Sequence, residues 1–337
     1  MQIPDEIRRC VVFLYASGTA GRRPVATGFF VSMYPPPDVP EARERSTYLV
    51  TAKHVVEGVC RARDQLYARV NCRGPKEMAL WAEALRELDR RENAGEKTDI
   101  LRVFEDLRAK PPNSMPRLAE AMAKHDPSLA EGAQFEDLRG ADNWIFHEDP
   151  NVDIAVLHWR PPPTVDVWPF PLKRAATPAV IAREGIGLGD DVFVVGLFSR
   201  RTGQARNIPI IRVGNIVAMP EEPIESATGI QEAYLIELLS IGGLSGSPVF
   251  TYLGGIRREF PIGGEITLNA RAGAIHLLGL VHGHWNLASA ERVDAVRDAL
   301  DGRERVNTGI VIVVPITRLL EILDYPAVRA AREKPQK

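Results

Sequence analysis

Ser245 lies in the run Ile241-Gly242-Gly243-Leu244-Ser245-Gly246-Ser247-Pro248-Val249-Phe250, between glycines and just ahead of an apolar stretch. Gly243 and Gly246 permit torsions that other residues avoid, so the segment can make a tight turn that pushes the Ser245 hydroxyl outward. The same turn can aim the Gly243 and Ser245 amides at one point. A nucleophile beside a two-donor oxyanion hole is what acyl transfer requires. Taken alone, the run equally describes a Gly/Ser hairpin turn before a strand. A second candidate group is His54, in Thr51-Ala52-Lys53-His54-Val55 at the end of an apolar strand; by itself it reads equally as a satisfied strand-end histidine. The third is Asp153, which opens the apolar run Asp153-Ile154-Ala155-Val156-Leu157; by itself a carboxylate there more often caps a turn.

Short β-branched and aromatic runs must carry these groups. Cys10 to Tyr15 and Ala26 to Ser32, separated by Ser17-Gly18-Thr19-Ala20-Gly21, form a hairpin pattern, and Tyr48 to Ala52 is the next strand. Strand character returns at Asn151 to Trp159 and recurs at Asp191 to Gly196, Ile208 to Ile211, Gly214 to Val217, Ala233 to Leu238, Ala274 to His282 and Gly309 to Pro315. Many short strands punctuated by Gly and Pro indicate barrels or sandwiches. Between about residues 76 and 140 the period changes. Met78, Trp81, Leu85 and Leu88, then Ile100, Phe104 and Leu107, fall at helical spacings, which marks a helical insertion in a β protein. Thr317 to Leu323 predicts a closing helix capped at or near Thr317, followed by a frayed polar tail.

The chain has 337 residues and a net charge of −2, so it predicts an ample core and no broad basic field for nucleic acid. It contains no apolar run long enough to span a membrane. Its three cysteines form no close pair, and its start lacks a secretory pattern, which together predict a reducing, cytoplasmic setting. Arg61, Arg63, Arg69 and Arg73 read as a solvated loop face, with an acidic partner site as the minor alternative.

The order His54, Asp153, Ser245, each in its strand context, resembles the trypsin-like serine proteases, and most closely the bacterial HtrA/Deg protease domain. The resemblance rests on the Thr-Ala-x-His-Val, Asp-Ile-Ala-Val-Leu and Gly-x-Ser-Gly-x-Pro matches. It is supported by Gly189-Asp190-Asp191-Val192 leading to Val195-Gly196, and by Gly309 to Pro315 ahead of a helix. It covers roughly residues 8–75 and 143–325. Ser247 departs from it, standing where the family usually has a second glycine, and no PDZ domain follows the closing helix. The resemblance implies an all-β, chymotrypsin-like fold: two six-stranded antiparallel β-barrels with a C-terminal helix, interrupted by the helical insertion. The first barrel, residues 1–165, would carry His54 and Asp153. A linker over 166–185 would lead to a second barrel with its closing helix over 186–325, carrying Ser245, and the tail would be 326–337.

The implied activity is peptide-bond hydrolysis through a His54/Asp153/Ser245 triad and a Gly243/Ser245 oxyanion hole, with no metal or organic cofactor. By the same resemblance Leu239 is the floor of the specificity pocket, an apolar one suited to small or medium apolar side chains; an ordinary core leucine is the alternative. Gly309 stands opposite a wall formed by Gly279 to Trp285, in which His282 reaches Asp153 and His284 lines the substrate groove. His282-Gly283-His284 with His276 nearby also has the spacing of a zinc site, but no third ligand with recognisable spacing accompanies them. The expected partners are a protein or peptide substrate and a regulatory protein acting through the insertion, with neither nucleic acid nor membrane. A catalytically silent platform that binds or gates a partner, and a serine esterase on the same fold, are the alternatives.

Overall fold

The computed structural model describes residues 3–18, 21–33, 46–94, 100–125, 132–138, 143–226, 229–238, 243–254, 256–259, 267–270, 274–287 and 306–333. After helix α1 (Asp5–Arg9) come β1 (Val11–Gly18), β2 (Gly21–Met33), β3 (Ser46–Thr51), α2 (Lys53–Arg61) and β4 (Gln65–Cys72). The insertion contributes α3 (Pro75–Asn93), α4 (Ile100–Ala109), α5 (Met115–His125) and β5 (Gly132–Asp137). Then follow β6 (Ile145–Phe146), β7 (Ala155–His158), β8 (Phe170–Pro171) and α6 (Pro178–Glu184).

These strands form one sheet in the order β5-β4-β1-β2-β3-β7-β6, with β8 parallel to β2. That is eight strands where six were expected. The extra pairing comes partly from β5, which lies inside the stretch read as helical and pairs antiparallel with β4 from Cys72↔Gly132 to Tyr67↔Asp137. Val11, Val12, Phe13 and Leu14 of β1 are all buried, as are Phe29, Phe30 and Val31 of β2, so both faces of the central strands feed one core.

The second unit is a closed barrel of β9 (Asp191–Gly196), β10 (Ile210–Ala218), β13 (Tyr234–Glu237), β14 (Pro248–Leu253), β17 (Ala274–Leu287) and β18 (Val306–Pro315), ordered β10-β13-β18-β17-β14-β9. The hairpins β11/β12 (Ile224–Ser226, Gly229–Gln231) and β15/β16 (Ile256–Glu259, Thr267–Ala270) stand apart from it. Its interior is apolar, with Val192, Val194, Ile236, Val249, Leu278 and Val313 fully buried. The chain is thus all-β with a helical insertion: an eight-stranded sheet, then a closed six-stranded barrel and C-terminal helices.

Several local expectations change. Residues 166–185 are not a bare linker: they hold β8, the 3-10 turn Leu172–Arg174 and α6, and Asp166 and Trp168 within them are buried. The closing helix α7 (Ile316–Leu323) has Pro315 and not Thr317 at its N-cap, with no side-chain cap. The tail expected to fray forms α8 (Pro326–Glu333), because Val328 and Arg332 bury against the preceding turn and Arg332 donates to the Leu323 carbonyl at 3.3 Å. In the insertion the buried stripe is Ala79, Leu80 and Ala84, with Val103, Phe104, Met115 and Ala119 opposite, while Leu85 is exposed. This small core packs on Trp168, whose ring lies 5.7 Å from Phe104.

Candidate active site

His54 is not on a strand. The strand β3 ends at Thr51, Ala52 is extended (φ −74°, ψ 138°), and Lys53 begins α2, whose Val55, Val56 and Val59 bury one amphipathic face. His54 therefore occupies the first helical turn, where backbone N–H groups lack intrahelical acceptors. Its N–H donates to Asp153 Oδ1 at 2.8 Å, and its ring Nδ1 lies 2.7 Å from Oδ2 of the same carboxylate. The tertiary contact caps the helix and orients the imidazole at once, and an anion there also suits the helix dipole.

Asp153 is buried, with its side chain shielded from solvent, while the His54 side chain is 38% exposed. His282 on β17 is buried and places its own Nδ1 2.5 Å from Asp153 Oδ2. Burial alone would raise the Asp153 carboxyl. The hydrogen bonds from His282 and His54 outweigh it and hold the group well below the usual carboxylate range. An ionised carboxylate only accepts, so both Nδ1 atoms carry the donated hydrogen, and in its neutral form His54 keeps a lone pair on Nε2.

Ser245 is placed by the second unit. Gly243 (φ 104°) and Gly246 (φ 77°) are left-handed on either side of it. At Gly246 nothing larger fits: a Cβ would stand 2.3 Å from Thr51 Oγ1 and 2.4 Å from Thr27 O, both in the first unit. The turn is closed by Ser247 N donating to Leu244 O at 2.9 Å and by Gly246 N donating to Val281 O at 2.8 Å. Neither the Gly243 nor the Ser245 amide has an acceptor among the described residues. The Ser245 hydroxyl makes a long hydrogen bond, 3.4 Å, to the carbonyl of His282 and not to His54.

The structure thus brings His54, Asp153 and His282 into one hydrogen-bonded group and sets Ser245 against the backbone of His282. Leu239 lies outside the described residues. His284 is exposed on β17, and Gly309 (φ 79°) accepts from Leu238 N at 2.8 Å on β18. His54, Asp153 and His282 offer ligand atoms within 4.8 Å of one another. Both ring nitrogens, however, face a single carboxylate oxygen at the length of charge-assisted hydrogen bonds, so these atoms satisfy each other and do not open toward a common ion.

Two features had no sequence signal that singled them out. Thr27 on β2 donates its N–H to Ser245 O at 3.0 Å and its hydroxyl to Gly243 O at 2.8 Å, although its own motif, Ala-Thr-Gly, reads as plain strand. The second is a buried ionic group beneath the insertion. Asp166 takes Arg9 and, at 2.9 Å, Arg206, while Arg9 also reaches Glu77 of α3 at 2.6 Å. Arg73 belongs to this buried group, not to a solvated face, donating at 2.5 Å to the carbonyls of Pro163 and Val165. Arg69 is likewise buried and donates to Gln204 O at 2.7 Å; Arg61 and Arg63 are exposed as expected. A cavity of about 670 Å³ beside Arg9, Glu77 and Arg206 belongs to this anchor and not to the triad.

Among the described residues no helix is long and apolar enough to cross a membrane. No family model and no curated protein matches the chain. Solved structures do match. One is the apo form of the MamO protease domain from Magnetospirillum magneticum, with a TM-score of 0.44 and 13% identity, covering 95% of this chain and 98% of that one. Another is an inactive serine-to-alanine form of Rv3671c from M. tuberculosis H37Rv, with a TM-score of 0.39 and 14% identity, covering 98% and 90%.

Proposed function

We propose that the chain is a serine endopeptidase of the HtrA/Deg type working through His54, Asp153 and Ser245. The observation that carries the reading is the double engagement of Asp153 by the amide and ring of His54, with His282 on the same carboxylate and its carbonyl accepting from the glycine-flanked Ser245. Ser245 Oγ attacks the substrate carbonyl carbon while His54 Nε2 takes its proton. The Gly243 and Ser245 amides receive the oxyanion, each such donor contributing about 3–4 kcal/mol to transition-state stabilisation. Collapse of the tetrahedral intermediate passes the proton to the leaving amine, and water then repeats the sequence on the acyl-enzyme. Asp153 holds the tautomer and stabilises the imidazolium. His284 and Gly309 line the substrate groove, which favours small or medium apolar side chains, and the insertion is the surface for a regulatory protein.

A catalytically silent platform is the second reading, favoured by one observation: the Ser245 hydroxyl is turned to the His282 carbonyl. Catalytic hydrogen bonds are often long in unliganded sites and tighten around substrate. Turnover of a panel of apolar peptide substrates by the wild type and by Ser245→Ala separates the two. The endopeptidase reading expects cleavage that Ser245→Ala abolishes without loss of fold. Cleavage that survives in Ser245→Ala, or a wild type inert across the panel, contradicts it.

A further inference from the structure

Thr27 is fully buried on β2, yet its polar groups serve the opposite unit. Its N–H donates to Ser245 O (3.0 Å), its hydroxyl donates to Gly243 O (2.8 Å), and the same hydroxyl accepts from Leu197 N (2.9 Å). Its carbonyl accepts in turn from Thr51 Oγ1 at 2.8 Å, two residues before α2 and the strand end that leads into His54. Hydroxyls on interior strand positions ordinarily satisfy themselves locally. This one reaches 216 and 170 positions along the chain.

The two carbonyls that Thr27 holds belong to Gly243 and Ser245, the residues whose amides lack acceptors. Anchoring these carbonyls fixes the Gly243–Leu244 and Ser245–Gly246 peptide planes, the planes that follow each free amide in the turn, and so limits the torsions that aim those amides. Thr27 also holds Leu197, whose side chain lies 3.1 Å from where a Cβ at Gly243 would stand. We infer that Thr27 is the positioning residue that sets the oxyanion hole, clamping the Gly243 and Ser245 carbonyls from the first unit so that their amides point into the cleft. The inference rests on the peptidase reading above. It makes the hole a property of the junction between the two units and not of the serine turn alone.

The test is Thr27→Val, which keeps shape and burial and removes the hydroxyl. The readout is the rate at which a fluorophosphonate probe labels Ser245, together with kcat and KM on one peptide. Valine keeps the backbone N–H to Ser245 O and loses only the hydroxyl bonds to Gly243 O and Leu197 N. Loss of a well-aimed oxyanion donor costs about a hundredfold or more in kcat, so misaiming the Gly243 donor predicts at least a tenfold fall in labelling rate and kcat with KM nearly unchanged. Thr27→Ser restores both. Thr251→Val is the matched control: it removes an equally buried hydroxyl, bonded to His276 O, and leaves the rates unchanged. Should Thr27→Val not fold, Thr27→Cys, with a weaker and longer donor, is expected to label at an intermediate rate. A Thr27→Val or Thr27→Cys protein that labels at the wild-type rate overturns the inference, as does a Thr251→Val loss of equal size. A wild type that the probe does not label sinks the peptidase reading instead. The clamp is then decided by the NMR shift of the Gly243 amide, which Thr27→Val must move and Thr27→Ser must leave in place.

Discussion

His54 and His282 rest their Nδ1 atoms on the same oxygen of Asp153, at 2.7 and 2.5 Å, with ring centroids 5.6 Å apart and planes 86° to each other. One buried carboxylate therefore orients two imidazoles, one from each unit.

Removing His282 leaves Asp153 short of one charge-assisted bond. His282→Ala is expected to cost about 1.5–3 kcal/mol of stability and to lower kcat by less than His54→Ala, which removes the base itself. Urea unfolding and peptide kinetics on the two variants check the order; an activity loss for His282→Ala equal to that for His54→Ala contradicts it.

Asp153 also gives the fold an acid signature. Its carboxyl is depressed in the folded chain and ordinary, near ~3.9, in the unfolded one, so the stability it contributes is fully present above about pH 4–5. That contribution is lost as pH falls toward the depressed folded value. The difference in unfolding free energy between wild type and Asp153→Asn is expected to be largest between pH 5 and 7 and to shrink steadily toward pH 2. A difference that stays constant over that range contradicts the assignment.

Ser247, where a glycine was expected, is compensated by Gly196. A Cβ at Gly196 would stand 2.1 Å from Ser247 Oγ, 2.8 Å from Leu244 Cδ2 and 3.0 Å from Thr27 Oγ1. Gly196→Ala is expected to destabilise by about 1–3 kcal/mol through overpacking and to slow turnover by disturbing the serine turn. The double variant Gly196→Ala/Ser247→Gly should recover part of both losses, and additive effects in that double-mutant cycle count against the fit.

The insertion is held by Asp166, whose side chain is 2% exposed and engages Arg9 and Arg206, with Arg73 4.0 Å away. Arg9 lies 5.3 Å from the Trp168 ring and Arg73 4.6 Å from the Trp81 ring, joining the charges to the helical core. Asp166→Ala strands buried guanidinium groups and is expected to cost about 3–5 kcal/mol. Protease protection of residues 75–125 should fall before that of the barrels; simultaneous loss means that the insertion is no separate unit.

The chemistry was more legible than its supports. His54, Asp153 and Ser245 stood out because function limits their neighbours: glycine around a nucleophile, apolar strands behind a buried acid. The His282 contact with Asp153 followed from the resemblance. What stayed hidden is what tertiary structure decides. Ala52 to Val55 has both strand and helix character, and only the burial of Val55, Val56 and Val59 against the sheet settles it as helix. A polar partner 97 positions downstream, Pro150 O for Lys53 Nζ, leaves no local pattern either. β5 was masked by its polar sequence, Gly132-Ala133-Gln134-Phe135-Glu136-Asp137, because an edge strand buries little. Arg69 and Arg73 looked solvated because their acceptors are loop carbonyls and a distant aspartate.

The most direct test of the account is the intact mass of the protein after treatment with a fluorophosphonate, with the adduct mapped by peptide digestion. The account predicts one covalent adduct per chain, on Ser245, formed quickly in the wild type, strongly slowed in His54→Ala and Asp153→Asn, and absent from Ser245→Ala. An adduct on another residue, or an adduct on Ser245 that forms equally fast without His54, would contradict it.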